Sequence, residues 1–155
     1  MPRTSTSRAA VAERGAGEHR LDEQVGFLLR RAYQRASANL LARIGAHDLT
    51  PPQFATLARL NEEGALSQNL LGRLVAMEPA NIRDVVQRLK RRRLIATEPD
   101  PADGRQLLVS LTPSGRALVR ELLPIDLATT AETLAPFSAA ERKILCDLLR
   151  RLAEG

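Results

Sequence analysis

The order of segments between Pro79 and Leu111 most constrains the fold of this chain. Apolar residues recur first at the spacing of a buried helix face, at Ile82, Val85, Val86 and Leu89. A strand, the turn-forming segment 100–104 and a second strand with alternating apolar residues follow. A basic helix followed by a hairpin is the order of a winged helix, which lays the helix in one groove of DNA and the hairpin against the next. Double-stranded DNA is therefore the first partner to consider.

Positive charge is concentrated on this predicted helix. The chain carries a formal net charge of +5 over 155 residues. Between positions 79 and 93, six basic residues accompany a single acid, Asp84. A charged face that only meets solvent would show the same run, so the charge favours a polyanionic partner without establishing one.

Several other classes of protein receive little support from the sequence. The single cysteine, Cys146, excludes an intrachain disulfide framework and suits a reducing cytoplasm. No segment approaches the roughly 20 apolar residues of a membrane span, and residues 1–20 lack the apolar core of a signal peptide. With His19 and His47 the only histidines, we find no metal-ligand cluster, no phosphate-binding glycine loop and no sign of an enzyme. We expect a cytoplasmic protein without a cofactor or metal.

The rest of the chain is predicted to be mainly helical. Residues 1–20 read as a mobile tail, and apolar positions at helical spacing run from Leu21 to Ile44. We divide the remainder into a winged helix-turn-helix domain at 49–112 and a helical dimerisation region at 21–48 and 113–155. The expected fold class is mainly α, with a small β-hairpin wing.

Local signals predict where the helices begin and end. Thr50 and Gln53 form a capping box, and Gly64 ends that helix. Ser67 and Pro79 start the two helices of the helix-turn-helix. Thr112 and Pro113 start a further helix, and Pro124 is predicted to kink or divide it. Ser138 and Glu141 form a second capping box, before a last helix with the apolar stripe Leu145, Leu148, Leu149 and Leu152.

These features together resemble the MarR family of transcriptional regulators. The segment Asp103-Gly104-Arg105, followed by alternating apolar residues that end at Leu111-Thr112, is similar to the family's wing signature. Residues 49–53, Leu-Thr-Pro-Pro-Gln, are similar to the start of its second helix. Arg93 departs from the pattern, because relatives commonly carry glycine there, which puts the usual helix ending in question.

The resemblance implies a homodimer whose first and last helices interlock. A twofold dimer reads a pseudo-palindromic operator with half-sites about 10 bp apart, and a repressor is the expected role. It further implies release by a small effector, often an aromatic acid or phenolic compound, bound between the dimer helices and the DNA-binding lobe. Aromatic and anion-pairing candidates near that junction are Tyr33, Arg43, His47 and Phe54. The segment 67–74 is also similar to a branch that controls nicotinate breakdown, which makes a hydroxylated pyridine carboxylate the first ligand to test.

Candidate base contacts lie on the helix that starts at Pro79. They are its polar residues between the apolar positions: Asn81, Arg83, Asp84, Gln87 and Arg88. Amides suit adenine and arginine suits guanine, whereas Asp84 could accept from cytosine or orient an arginine. Arg88 has the alternative of pairing with an acidic neighbour. Ser67 and Gln68 are expected to contact phosphate, with simple capping the alternative for Ser67.

The wing and the end of the helix supply the other candidates. Arg105 is predicted to enter the minor groove while Asp103 holds the turn or the arginine, the alternative being an Asp-Arg pair that only stiffens the hairpin. The basic cluster at 91–93, with Arg91 and Arg92, is expected to contact phosphates. Two alternative functions stay open: an oxidant sensor that uses Cys146, and a non-specific architectural DNA-binding protein.

Overall fold

A computed structural model describes residues 20–155 of the chain, in two compact units that divide between Arg35 and Ala36. Six α-helices are described: α1 Val25–Ile44, α2 Pro51–Glu63, α3 Gln68–Leu74, α4 Pro79–Arg91, α5 Pro113–Thr133 and α6 Ala139–Glu154. Three strands are described: β1 Leu66–Ser67, β2 Ile95–Pro99 and β3 Leu107–Leu111. Short 3₁₀ turns lie at Leu21–Glu23 and Gly45–His47. The mainly α fold with a small β wing is confirmed; of the predicted tail, residues 1–19 lie outside the described residues.

The predicted helix boundaries are confirmed where a capping residue determines them. Thr50 caps α2: its N–H donates to Gln53 Oε1 at 3.0 Å, and Gln53 N–H donates to Thr50 Oγ1 at 3.4 Å. Gly64 ends that helix with φ 81°, a positive φ that glycine adopts without strain. Ser138 and Glu141 form the same reciprocal pair before α6. Hydrogen bonds from Ser138 hold the pKa of the Glu141 carboxyl below its ordinary value.

The helix-turn-helix is formed by α3 and α4, which pack closely against each other. Ser67 caps α3 by accepting from Leu70 N–H at 3.3 Å. All four predicted apolar positions of α4 are buried: Ile82, Val85, Val86 and Leu89. A Cβ at Gly72 would lie 3.0 Å from Ile82 Cγ2, so a small residue on α3 lets α4 approach. This packing fixes one face of α4 in the core and leaves the other exposed.

The sheet has one strand more than the sequence predicted. Its strand order is β1-β3-β2, antiparallel throughout, with Ile95 opposite Leu111 and Thr97 opposite Val109. The additional strand, β1, has two residues and pairs Leu66 with Val109. Two residues are too few to show a period-2 pattern, which explains why β1 was missed.

Two details of the predicted helices differ in the structure. Of the two outcomes predicted for Pro124, a division of the helix is wrong, because α5 runs unbroken from Pro113 to Thr133, and a kink stays a prediction. The ring is exposed, and the helix is held on either side by packed residues, including the buried Leu122 and Thr129. The first α-helix begins at Val25 rather than Leu21, since residues 21–23 form a separate 3₁₀ turn.

Arg93 supplies the helix ending for which glycine is usual. Its φ is 57°, in the left-handed region. Arg93 N–H donates to the carbonyl of Lys90 at 2.9 Å, and Leu94 N–H donates to that of Leu89 at 3.1 Å. This pair of bonds defines a Schellman ending, in which the left-handed residue follows the helix cap. The geometry questioned from the sequence is therefore present, with a residue that has a Cβ.

Replacing Arg93 should make the folded chain more stable. Because the left-handed conformation costs a residue with a Cβ about 1 kcal/mol relative to glycine, Arg93→Gly should raise the free energy of unfolding by about that amount. Arg91→Gly, two residues earlier and inside α4, is the matched control and should lower it. Urea denaturation at one protein concentration measures both. Equal losses of unfolding free energy from the two substitutions would show that the left-handed conformation of Arg93 carries no strain.

Candidate nucleic-acid interface

The exposed side of α4 presents the five residues predicted to read bases. Asn81, Arg83, Asp84, Gln87 and Arg88 are all exposed, because the helix turns its apolar stripe into the core. Proline at the first helical position suits the start of α4, where an N–H would have no helical partner. The result is one continuous polar surface on a rigid element.

Two of these five side chains are engaged with each other. Arg88 Nε donates to Asp84 Oδ2 at 2.9 Å, one helical turn apart. This is the alternative that the sequence left open for Arg88. Within residues 20–155, the side chains of Asn81, Arg83 and Gln87 make no hydrogen bond or ion pair, so their polar groups are available to a partner.

The wing turn is organised by Asp103 and leaves Arg105 free. Asp103 Oδ1 accepts from the backbone N–H of Arg105 at 3.1 Å, and Oδ2 accepts from Gln106 Nε2 at 3.2 Å. The Gln106 N–H closes the turn on the Asp103 carbonyl at 2.9 Å. The described residues contain no ion pair between the side chains of Asp103 and Arg105. Asp103 thus shapes the turn, while the exposed guanidinium of Arg105 stays free of protein partners there.

The basic cluster at the end of α4 separates into different roles. Arg92 donates to the carbonyls of Asp48 at 2.6 Å and His47 at 2.9 Å, which ties α4 to the connection between α1 and α2. Lys90 Nζ lies 2.6 Å from Thr97 Oγ1 on β2. Arg91 makes no such bond in the part of the chain described. The structure therefore gives Arg92 a tertiary role that its neighbour lacks, and Arg91 is the better placed residue for phosphate.

The two polar candidates at the N-terminus of α3, Ser67 and Gln68, are less exposed than the five on α4. Ser67 Oγ is engaged by the Leu70 N–H, as its capping alternative requires. Ser67 and Gln68 are both partly buried at the N-terminus of α3. Any contact they make with phosphate would use the remaining Ser67 hydroxyl proton or the Gln68 amide.

The four candidate effector residues have different environments. Arg43 forms an ion pair with Glu132 on α5, and His47 Nδ1 lies 3.9 Å from Glu121 Oε1, also on α5. Phe54 is 4% exposed and belongs to the hydrophobic core. Tyr33 lies on the part of α1 that belongs to the first unit and is exposed. Arg43 and His47 thus share a face toward α5, whereas Phe54 can only support such a site from the core.

Three further features were sought among the described residues: a metal site, a membrane-spanning helix and the environment of the cysteine. Residues 20–155 contain no group of three or more His, Cys, Asp or Glu side chains able to hold a metal ion. In the same part of the chain, no helix is long and apolar enough to cross a membrane. Cys146 lies partly buried on α6.

Comparison with known proteins identifies the class of the chain. Residues 47–106 match the model of the MarR family. The repressor NicR of Pseudomonas putida is 39% identical over 133 residues, which cover 86% of this chain and 84% of NicR. The chain belongs to the MarR family and is a transcriptional repressor of the MarR type.

Two solved structures agree with this assignment. A probable transcriptional regulator from Pseudomonas aeruginosa is 50% identical, with a TM-score of 0.80 over 86% of this chain and 99% of its own. BpsR of Bordetella bronchiseptica, whose DNA binding is regulated by 6-hydroxynicotinic acid, is 42% identical, with a TM-score of 0.84 over 90% and 99%. The matched family and these relatives are transcriptional regulators rather than enzymes.

Proposed function

We propose that this repressor binds a pseudo-palindromic operator as a homodimer and releases it when a small aromatic acid binds. One observation supports the DNA-binding part of this proposal: the chain has both an exposed polar face on α4 and, on the wing, an arginine that has no protein partner among the described residues. In that arrangement α4 reads the major groove through Asn81, Arg83 and Gln87, with Arg88 oriented by Asp84. Arg105 enters the neighbouring minor groove.

Phosphate contacts supply affinity in this proposal. Arg91 is the principal anchor, and Ser67 and Gln68 at the N-terminus of α3 add polar contacts. Arg92 contributes mainly by holding the end of α4 against the α1–α2 connection. The DNA-binding domain is residues 49–112, as the sequence predicts.

The proposed dimerisation region comprises residues 21–48 and 113–155. On α6, Ile144, Leu148 and Leu152 are each more than half exposed, and Leu149 is 41% exposed. Leu21 in the first 3₁₀ turn and Val25 at the start of α1 are also more than half exposed. Exposed apolar stripes of this length usually mark a surface that another chain covers. A second copy would bring a second winged helix and thus a twofold operator.

A binding experiment tests the DNA-binding proposal. Footprinting on DNA flanking the protein's own gene should locate an inverted repeat with half-sites about 10 bp apart. At fixed salt, affinity for that site should exceed affinity for random duplex by at least about 10³-fold. Leu148→Asp, which places a charge in the α6 stripe, should give a monomer with weak operator binding in sedimentation and binding assays. Equal affinity for operator and random duplex would instead identify an architectural DNA-binding protein.

The effector proposal rests on the relatives and on the face shared by Arg43 and His47. The DNA binding of BpsR is regulated by 6-hydroxynicotinic acid. In this chain the Arg43 guanidinium would bind the carboxylate of such a ligand in place of its ion pair with Glu132. His47 is the candidate for contact with the ring, and Phe54 would support such a site from the core. The role of Tyr33 stays a prediction from the sequence. Because a ligand shifts an equilibrium only through differential affinity, it must favour the form of the dimer that does not fit the operator.

Titrating the operator complex with 6-hydroxynicotinate tests the effector proposal. We expect release of DNA from the wild type and a weaker response from Arg43→Gln. Arg59→Gln, which also removes an arginine that pairs with acids, is the matched control and should respond normally. A ligand that binds tightly but leaves operator affinity unchanged would refute the proposed release.

A further inference from the structure

One acidic side chain lies on the exposed face of α4 that the proposed function assigns to DNA. Asp84 is the single acid between positions 79 and 93, and its side chain is 57% exposed. A carboxylate on a surface that meets a polyanion lowers the affinity for every DNA sequence, because it repels the phosphates. The presence of Asp84 on this face therefore opposes DNA binding in general.

The stability of the fold does not account for this acid. Asp84 Oδ2 accepts from Arg88 Nε at 2.9 Å, and both side chains are more than half exposed. An ion pair this exposed, between residues one helical turn apart, contributes little to stability in water. The buried apolar residues on the opposite side of α4 hold the helix in place. The consequence of the pair is instead for the guanidinium of Arg88.

The bond to Asp84 determines which donors Arg88 presents to a partner. Nε is engaged, whereas Nη1 and Nη2 make no hydrogen bond to the residues that the structure describes. These two nitrogens form the end of a planar fork, which matches the O6 and N7 acceptors of guanine. Adenine and thymine each present one acceptor in the major groove, and cytosine presents none. The pair also has no net charge, which weakens the attraction of Arg88 to phosphates.

We propose that Asp84 makes Arg88 specific for guanine at one base pair in each half-site. Asp84 is a positioning residue: it fixes the orientation of the fork and neutralises the charge that would draw this arginine to a phosphate. Specificity is gained in this way, and general affinity for DNA is lost. This inference rests on the proposed operator recognition by α4 and deepens it, because it names the base that is selected and the residue that sets the selection.

Binding to a panel of duplexes at fixed salt tests the inference. The panel contains the operator located by footprinting, every single base-pair substitution in one half-site, and random duplex. For the wild type, replacing the selected guanine should weaken binding by about 10-fold or more, as expected for a lost bidentate contact. Asp84→Ala should reduce that penalty by about 5-fold or more and leave the penalties at other positions unchanged. The same substitution should raise the affinity for random duplex by about 2- to 5-fold, because it removes the repulsion of phosphates.

Two further variants control for the loss of charge and for the route of the effect. Glu78→Ala is the matched control, since Glu78 is an exposed acid at the start of α4 whose side chain makes no capping bond. It should raise the affinity for random duplex and leave every base-pair penalty unchanged. Because Asp84 acts through Arg88, Arg88→Ala should remove the penalty at the same guanine. A variant with both Asp84→Ala and Arg88→Ala should then match Arg88→Ala in its penalties at every position.

The possible failures distinguish this inference from the proposed function. If Asp84→Ala kept the full penalty at every position, the inference would be overturned and the proposed operator recognition would stand. Relaxation at a position that Arg88→Ala does not affect would also overturn it, since Asp84 would then contact a base directly. If the wild type showed no penalty at any position, the proposed operator recognition would fail, and the inference would fail with it.

Discussion

Arg105→Ala should weaken operator binding by about 1–3 kcal/mol and change sequence preference beside the core site. The wing turn is formed by Asp103 through bonds to the backbone of Arg105 and the side chain of Gln106. Removing the Arg105 side chain therefore leaves the turn intact and deletes only the guanidinium. Because a narrow A·T-rich minor groove has an enhanced negative potential, the lost affinity should be greatest on operators with such flanks. Binding affinities measured at fixed salt, for operators that differ only in these flanks, test the prediction.

Two further variants separate the sequence preference that Arg105 gives from the affinity that positive charge alone gives. Arg105→Lys keeps the charge but removes the planar fork, so it should restore part of the affinity and little of the flank preference. Arg91→Ala should reduce the salt slope by about 1 while leaving the ranking of sequences unchanged. If Arg105→Ala and Arg91→Ala lowered affinity equally on every sequence, the division between a wing that reads DNA and a helix end that binds phosphate would be wrong.

The sequence predicted the parts of this fold that depend on neighbours along the chain. The capping box of Thr50 with Gln53 spans three residues, and the apolar stripe of α4 repeats within one helix. Both signals are local, because hydrogen bonds and helical periodicity act over a turn or two. The winged helix could therefore be predicted without a structure.

The parts that could not be predicted depend on contacts between distant segments. Arg92 reads as one more basic residue in a run, yet its partners are carbonyls 44 and 45 residues away. The effector candidates show the same limit, since Phe54 turns inward to the core while Arg43 pairs with Glu132. Composition near a junction predicts the residue types of a site but not which way each side chain points.

Gly115 is the strongest example of a residue whose role only tertiary structure shows. An ideal Cβ there would lie 2.0 Å from the carbonyl oxygen of Leu94. That carbonyl accepts from Thr112 N–H at 3.1 Å, and the Arg93 carbonyl accepts from Thr112 Oγ1 at 2.7 Å. The start of α5 is thus bonded to the junction between α4 and β2, and only a residue without a side chain fits between them.

Gly115→Ala should lower the free energy of unfolding by about 3 kcal/mol, because the clash is with backbone that cannot rotate away. Gly45→Ala is the matched control and should change stability by less than about 1 kcal/mol, as its Cβ meets only Leu41 Cδ1 at 3.9 Å. Urea denaturation at one protein concentration is needed, since association of subunits would add to the apparent stability.

Operator affinity at a temperature where Gly115→Ala stays folded should also fall, because Leu94 joins the recognition helix to the wing. Equal stability of the two alanine variants would mean that the Leu94 carbonyl can move, and the rigid junction between helix and wing would then have to be abandoned.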